Sequence, residues 1–137
     1  CCIKTNAGVA DADEQLATTL AVVDKDTSAV AAMSLPSKEA SPFATEFVAS
    51  FLDRCGLARV NLLTDGEAAM TSLADKVKDR REHGAILQHA PKHRSASMGV
   101  VERARWEIQS QTRTMKSQIA RAYHTVEISH AHPLFPW

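Results

Sequence analysis

The chain predicts one mixed α/β domain in which helices pack on a small sheet. Three observations carry this: a β-like pair around a polar turn near the start, two amphipathic helical stretches separated by a short apolar run, and a long helical stretch near the end. The 137 residues are 45% apolar and 23% charged, which is the composition of a single globular domain able to bury its own core without metal or disulfide staples. Three Cys, two of them adjacent at Cys1 and Cys2, argue against a disulfide framework and for a reducing compartment. No apolar run approaches the length of a membrane span, and no charged-then-apolar leader opens the chain.

Residues 18–23 and 29–35 are rich in Ala, Val, Thr and Leu and flank Asp24-Lys25-Asp26-Thr27-Ser28, a pattern that predicts an antiparallel hairpin. Ser41-Pro42 is a helix start, with Ser as cap and Pro in the first turn. Phe43, Phe47, Val48, Phe51 and Leu52 then recur on one face until Cys55-Gly56 stops the helix. A buried strand over residues 58–63 ends abruptly at Thr64-Asp65-Gly66-Glu67. A helix over 67–81 follows, with Met70, Leu73 and Val77 inward and Asp75, Lys76, Lys78, Asp79 and Arg80 on a charged outer face. Residues 85–88 read as a last strand and 89–99 as an exposed loop. The longest helix runs from about 100 to 123, with an apolar stripe of Val101, Ala104, Ile108, Met115, Ile119 and Ala122.

Formal net charge is zero, yet residues 1–75 hold five Lys/Arg against eleven Asp/Glu, and residues 76–137 hold eleven against five. A basic C-terminal half permits nucleic-acid contact, because cations that neutralise phosphates release counterions; solvated helix faces are the simpler account. Asp65 stands where an apolar strand gives way to a helix, the place where ligands gather in open α/β sheets, although a lone Asp there also serves as a helix cap. Glu102 opens the long helix, where an acid also complements the helix dipole. One helix, one short strand and one loop separate the two, so the chain can return both to one sheet edge. Converging carboxylates need a cation, and oxygen-only donors suit Mg²⁺ or Mn²⁺.

Phe51-Leu-Asp-Arg-Cys-Gly-Leu-Ala-Arg-Val-Asn-Leu-Leu-Thr-Asp65-Gly-Glu, followed by Ser97-Met-Gly-Val-Val-Glu102-Arg-Ala, resembles the catalytic core of retrotransposon and retroviral integrases. The likeness is greatest to copia-like elements and extends over nearly the whole chain, including Arg113-Thr-Met-Lys. It implies a DDE recombinase with an RNase H-like mixed sheet flanked by helices, cut from a longer polyprotein at both ends. On that basis residues 1–137 form a single integrase-like core without the family's N-terminal zinc module or C-terminal domain. The family has three acids; Asp65 matches the second and Glu102 the third, as catalytic residues and metal ligands. The first is expected just before Cys1, with Cys1-Cys2-Ile3 as the tail of a first strand that is otherwise largely missing. Asp24 instead matches the second strand and its hairpin, where the family's acid is not catalytic. A second departure is Met98, where the family usually has Asn before the Gly.

The resemblance implies DNA integration by metal-dependent polynucleotidyl transfer, 3′-end processing followed by strand transfer, with two divalent ions and no covalent enzyme intermediate. Its partners would be DNA, both element ends and target, and further copies of the chain; its setting would be the nucleus as part of an integration complex, otherwise the cytoplasm, and no membrane. Arg105 and Gln109, three and seven residues after Glu102, fall near its face of the helix and are candidate DNA contacts, as are Lys92, His93 and Arg94 in the loop; surface pairing is the bland account of Arg105 and Gln109.

Two other readings compete: a degenerate, non-catalytic integrase-like domain that binds nucleic acid, and an unrelated α/β phosphate-ester hydrolase. Zinc at His83, His89 and His93, or at His124, His130 and His132, lacks the paired Cys spacing of structural sites. Cys55 reads as a buried structural thiol. Loss of most of a central strand would leave its neighbours with unpaired edges and the domain marginally stable.

Overall fold

The computed structural model describes residues 2–7 (backbone only), 18–37, 39–81, 84–89 and 98–124. Five strands form one sheet: β1 (Cys2–Ala7), β2 (Thr18–Val23), β3 (Val30–Leu35), β4 (Val60–Thr64) and β5 (Ala85–His89). Their order is β3-β2-β1-β4-β5, with β1–β2–β3 antiparallel and β1–β4–β5 parallel. Three helices flank it, α1 (Pro42–Arg54), α2 (Ala68–Arg80) and α3 (Gly99–Tyr123). This is the mixed, helix-flanked arrangement expected. The first strand differs from expectation. Instead of a short tail it is a six-residue strand paired with β2 along its whole length, from Cys2↔Val23 to Ala7↔Thr18. Toward β4 the ladder is a single pair, Cys2↔Leu63, so the anticipated gap is confined to that side.

Strand alternation gives the sheet two cores. Leu20 and Val22 of β2 and Val60 and Leu62 of β4 face α1 and α2, where they meet Val48, Phe51, Leu52, Met70, Leu73 and Val77. Ala21 and Val23 face the other way, joining Leu63 against Met98, Val101 and Ala104 of the α3 region. Only Val101 and Ala104 of α3 are buried, and Met115 is exposed, because the 25-residue helix, about 37 Å long, outruns the sheet it crosses. The predicted apolar stripe is therefore a core contact in its first two turns only.

The ends of α1 are fixed locally. The Ser41 hydroxyl accepts from the Ala44 N–H at 3.1 Å and Pro42 occupies the first turn. At the other end Gly56 has φ +69, with Gly56 N–H donating to the Asp53 carbonyl at 2.9 Å and Leu57 N–H to the Leu52 carbonyl at 3.1 Å, the Schellman pattern. The charged outer face of α2 is partly paired. Lys76 Nζ donates to the Ala40 carbonyl at 2.6 Å, Arg80 pairs with Glu46 at 3.0 Å, and Arg81, just beyond the helix, pairs with Asp53 at 3.0 Å and donates to the Leu57 carbonyl. Those cations stitch α2 to α1.

Candidate active site

Asp65 follows the last residue of β4. Val60, Leu62 and Thr64 alternate toward the α1/α2 face and Leu63 toward α3, so continuing the alternation by one residue puts Asp65 on the α3 face. Asp65 is half-buried, and its Oδ1 accepts the Glu67 N–H at 3.1 Å, which orders the turn into α2. Gly66 there has φ +80, and a Cβ would meet nothing within 4 Å, so backbone conformation rather than crowding calls for glycine.

Glu102 lies in the first turn of α3, half-buried, one residue after Val101 and four after Met98. Leu63, Met98 and Val101 belong to one apolar cluster. Leu63 of β4 thus packs against the cluster that also holds the start of α3, and each acid stands within two residues of one of these side chains. Met98 is buried there and precedes the helix without a side-chain cap bond, so its apolar side chain acts as an anchor for α3.

Asp24 belongs elsewhere. It is buried, and its Oδ2 accepts from the Thr27 hydroxyl at 2.6 Å and the Thr27 N–H at 3.1 Å, which hold its carboxyl below the usual value, the hydroxyl foremost, against the opposing effect of burial. Its own N–H donates to the Ala29 carbonyl at 2.9 Å. From the pairs Cys2↔Val23 and Cys2↔Leu63, Asp24 and Asp65 differ by three residues along the strands, about 10 Å, and by two strand spacings, about 9.6 Å. They cannot share an ion. On β1, the residue that comes level with Asp65 by the same count is Lys4.

Arg105 and Gln109 are half-buried on the flank of α3 that continues from Glu102, and Arg105 Nε is buried without a hydrogen-bond partner. Lys92, His93 and Arg94 lie outside the described residues, as do Asp11, Asp13, His83, His130 and His132. His89 and His124 end different elements, β5 and α3. Periodicity gave no hint of a polar pair on β4 and β5: the fully buried Thr64 has its Oγ1 3.2 Å from His89 Nδ1, directly before Asp65. Cys55 is partly buried against the first core, in keeping with a structural thiol.

The donors at Asp65 and Glu102 fit a hard divalent cation in chemistry but fall short in number. Among the described residues, no group of three or more His, Cys, Asp or Glu is placed to hold a metal. Among the same residues, no helix is long and apolar enough to cross a membrane.

Compared with known proteins, the chain matches no family model and no curated protein. Among solved structures it is similar to the catalytic core domain of BIV integrase, with a TM-score of 0.48 and 17% identity over 93% of this chain and 72% of that one.

Proposed function

We propose that this chain is an integrase-like core of a retrotransposon-type polyprotein that acts on DNA ends through Asp65 and Glu102. The observation that supports the reading is the packing of Leu63, two residues before Asp65, against the cluster that contains Met98 and Val101, next to Glu102. Asp65 and Glu102 would hold Mg²⁺ or Mn²⁺, which supplies Lewis-acid stabilisation of charge on a transferring phosphoryl group. The chain's own part is positional. The Glu67 N–H fixes one oxygen of Asp65, while burial of Val101 fixes the turn that bears Glu102. Arg105 and Gln109, with Lys92 and Arg94 of the loop, would contact the DNA backbone, and assembly with further copies and a nuclear setting belong to the same reading.

A second reading, a degenerate domain that binds nucleic acid without turnover, is favoured by Lys4, a residue that is not an acid, standing level with Asp65 in the register of the neighbouring strand. One cycle separates the two. Mn²⁺ affinity by calorimetry and strand transfer on a labelled DNA end are measured for the parent, Asp65→Asn, Glu102→Gln and the double variant. If both acids grip the same ion, each single change removes metal-dependent transfer and the double adds little to the loss of affinity. Additive, independent losses of affinity would refute the shared site. Tight DNA binding with no transfer in the parent would select the degenerate domain.

A further inference from the structure

α3 carries a second seam, separate from the apolar stripe that meets the sheet. Starting at Glu102 and advancing by alternate steps of four and three residues, it runs through Trp106, Gln109, Arg113, Lys116, Ala120 and Tyr123. Trp106 is 61% exposed and Tyr123 66%. Arg113 is exposed and has no ion pair among the described residues. No acid occurs from Ile108 to His124; Glu107 is off the seam and occupied by Arg103 at 3.1 Å.

We infer that this seam is a binding surface for an unpaired nucleic-acid strand, with bases stacked on Trp106 and Tyr123 and phosphates neutralised by Arg113 and Lys116. The choice of ligand rests on the nucleic-acid reading above; the surface itself rests on charge and exposure. Two aromatic faces separated by cations suit bases whose π-faces are free, and in a duplex those faces are already stacked on each other. A second copy is a poor occupant. Parallel pairing of the seam sets Arg113 and Lys116 against themselves, and antiparallel pairing about the midpoint of its Trp106–Tyr123 stretch sets Arg113 against Lys116, so like charges meet either way. From Trp106 to Tyr123 the seam is about 25 Å long, enough for a few extended nucleotides, and its near end is Glu102. A strand lying on it leads to the candidate active site.

The test uses the 137-residue chain carrying Asp65→Asn, in EDTA, so that binding is read without metal or chemistry. Trp137→Phe removes the only other tryptophan and leaves Trp106 as the reporter. A 12-nucleotide oligothymidylate should quench Trp106 emission saturably, and a 12-base-pair duplex should bind more weakly with little quenching. Binding by fluorescence polarisation in the Trp106→Ala variant should fall about fivefold or more for the single strand, Trp106→Phe should recover most of it, and Arg113→Gln should lower the salt slope by about 0.7. Both side chains are exposed, and unchanged circular dichroism confirms that the variants are folded. Duplex binding as tight as single-strand binding, unquenched Trp106 at saturation, or a Trp106→Ala loss under twofold would overturn the inference. So would a concentration-dependent dimer abolished by Trp106→Ala. Loss of single-strand binding with metal-dependent transfer intact in the Asp65 parent would sink the seam alone; intact binding without transfer would sink the catalytic reading alone.

Discussion

Removing an exposed carboxylate should cost this fold more than removing the buried cation it pairs with. Arg81 joins the end of α1 to the end of α2: its side chain is 2% exposed, that of its partner Asp53 is 59% exposed, and Arg81 Nη1 is buried without a hydrogen-bond partner. Asp53→Ala leaves a guanidinium inside the protein with the Leu57 carbonyl as its remaining acceptor. Stripping one partner from a buried pair costs about 3–5 kcal/mol, and because water reaches Asp53 the figure is discounted to about 2–3 kcal/mol. Arg81→Met removes the charge and the unpaired Nη1 together with the bonds. The loss of charge-assisted bonds, about 1.5–3 kcal/mol, is offset by relief of desolvation and by retained apolar packing, for a net of about 1–2 kcal/mol.

The expected order is therefore Asp53→Ala above Arg81→Met, with the double variant close to Arg81→Met rather than to the sum. Urea unfolding followed by circular dichroism reads these differences as midpoint shifts at constant slope, and each kcal/mol corresponds to roughly 3 °C in a melt. Glu46→Gln is the reference, since both side chains of the Arg80–Glu46 pair are more than half exposed; it should cost less than about 0.5 kcal/mol and vanish in 1 M salt, whereas the Asp53→Ala effect persists. An Arg81→Met cost equal to or above that of Asp53→Ala, or an additive double variant, would refute the argument that the buried cation governs this seam.

Asp24→Asn should lower stability by about 1 kcal/mol at neutral pH, through loss of charge-assisted bonds from Thr27. Because the folded carboxyl is held below its unfolded value, its contribution is full above about pH 4 and is lost as pH falls through the folded value. Melts from pH 7 to 3 should show the gap closing on acidification, and a widening gap would contradict the assignment. Val101→Ala should cost about 2 kcal/mol from the fully buried second core and should also weaken Mn²⁺ binding, although Val101 has no donor for an ion. Calorimetry that finds Mn²⁺ affinity untouched while the melt falls would separate that core from the site.

Much of the fold was legible because its signals are local. Ser41-Pro42 and Gly56 bound α1 through their own backbone and cap chemistry, and the runs at 18–23 and 30–35 became β2 and β3 with Asp24 holding the turn. β1 was under-read because Cys2-Ile3-Lys4-Thr5-Asn6-Ala7 has no apolar alternation of its own; its strand character comes from pairing with β2 over six positions. The burial of Met98 is not legible in the sequence, because it depends on Ala21 and Val23 across the interface. Asp65 and Glu102 are legible as residues at element ends, while the packing of neighbouring Leu63 and Val101 in the second core depends on the register of β4 and the crossing of α3.

The opposite charges of the two halves resolve into two different physical roles. Part of the asymmetry is internal: Glu46 and Asp53 of the acidic half meet Arg80 and Arg81 of the basic half, so the α1/α2 seam neutralises charge on one side of the sheet. α3, on the other side, carries Arg105, Arg113, Lys116 and Arg121 beyond the Arg103–Glu107 pair, and no acid after Glu107 within the helix. The proposed polyanion would meet these cations on the α3 side, the side on which strand alternation also puts Asp65. The basic length of α3 and the acid after β4 therefore fall on the same side of the sheet, which makes α3 the face on which to test the proposed nucleic-acid contact.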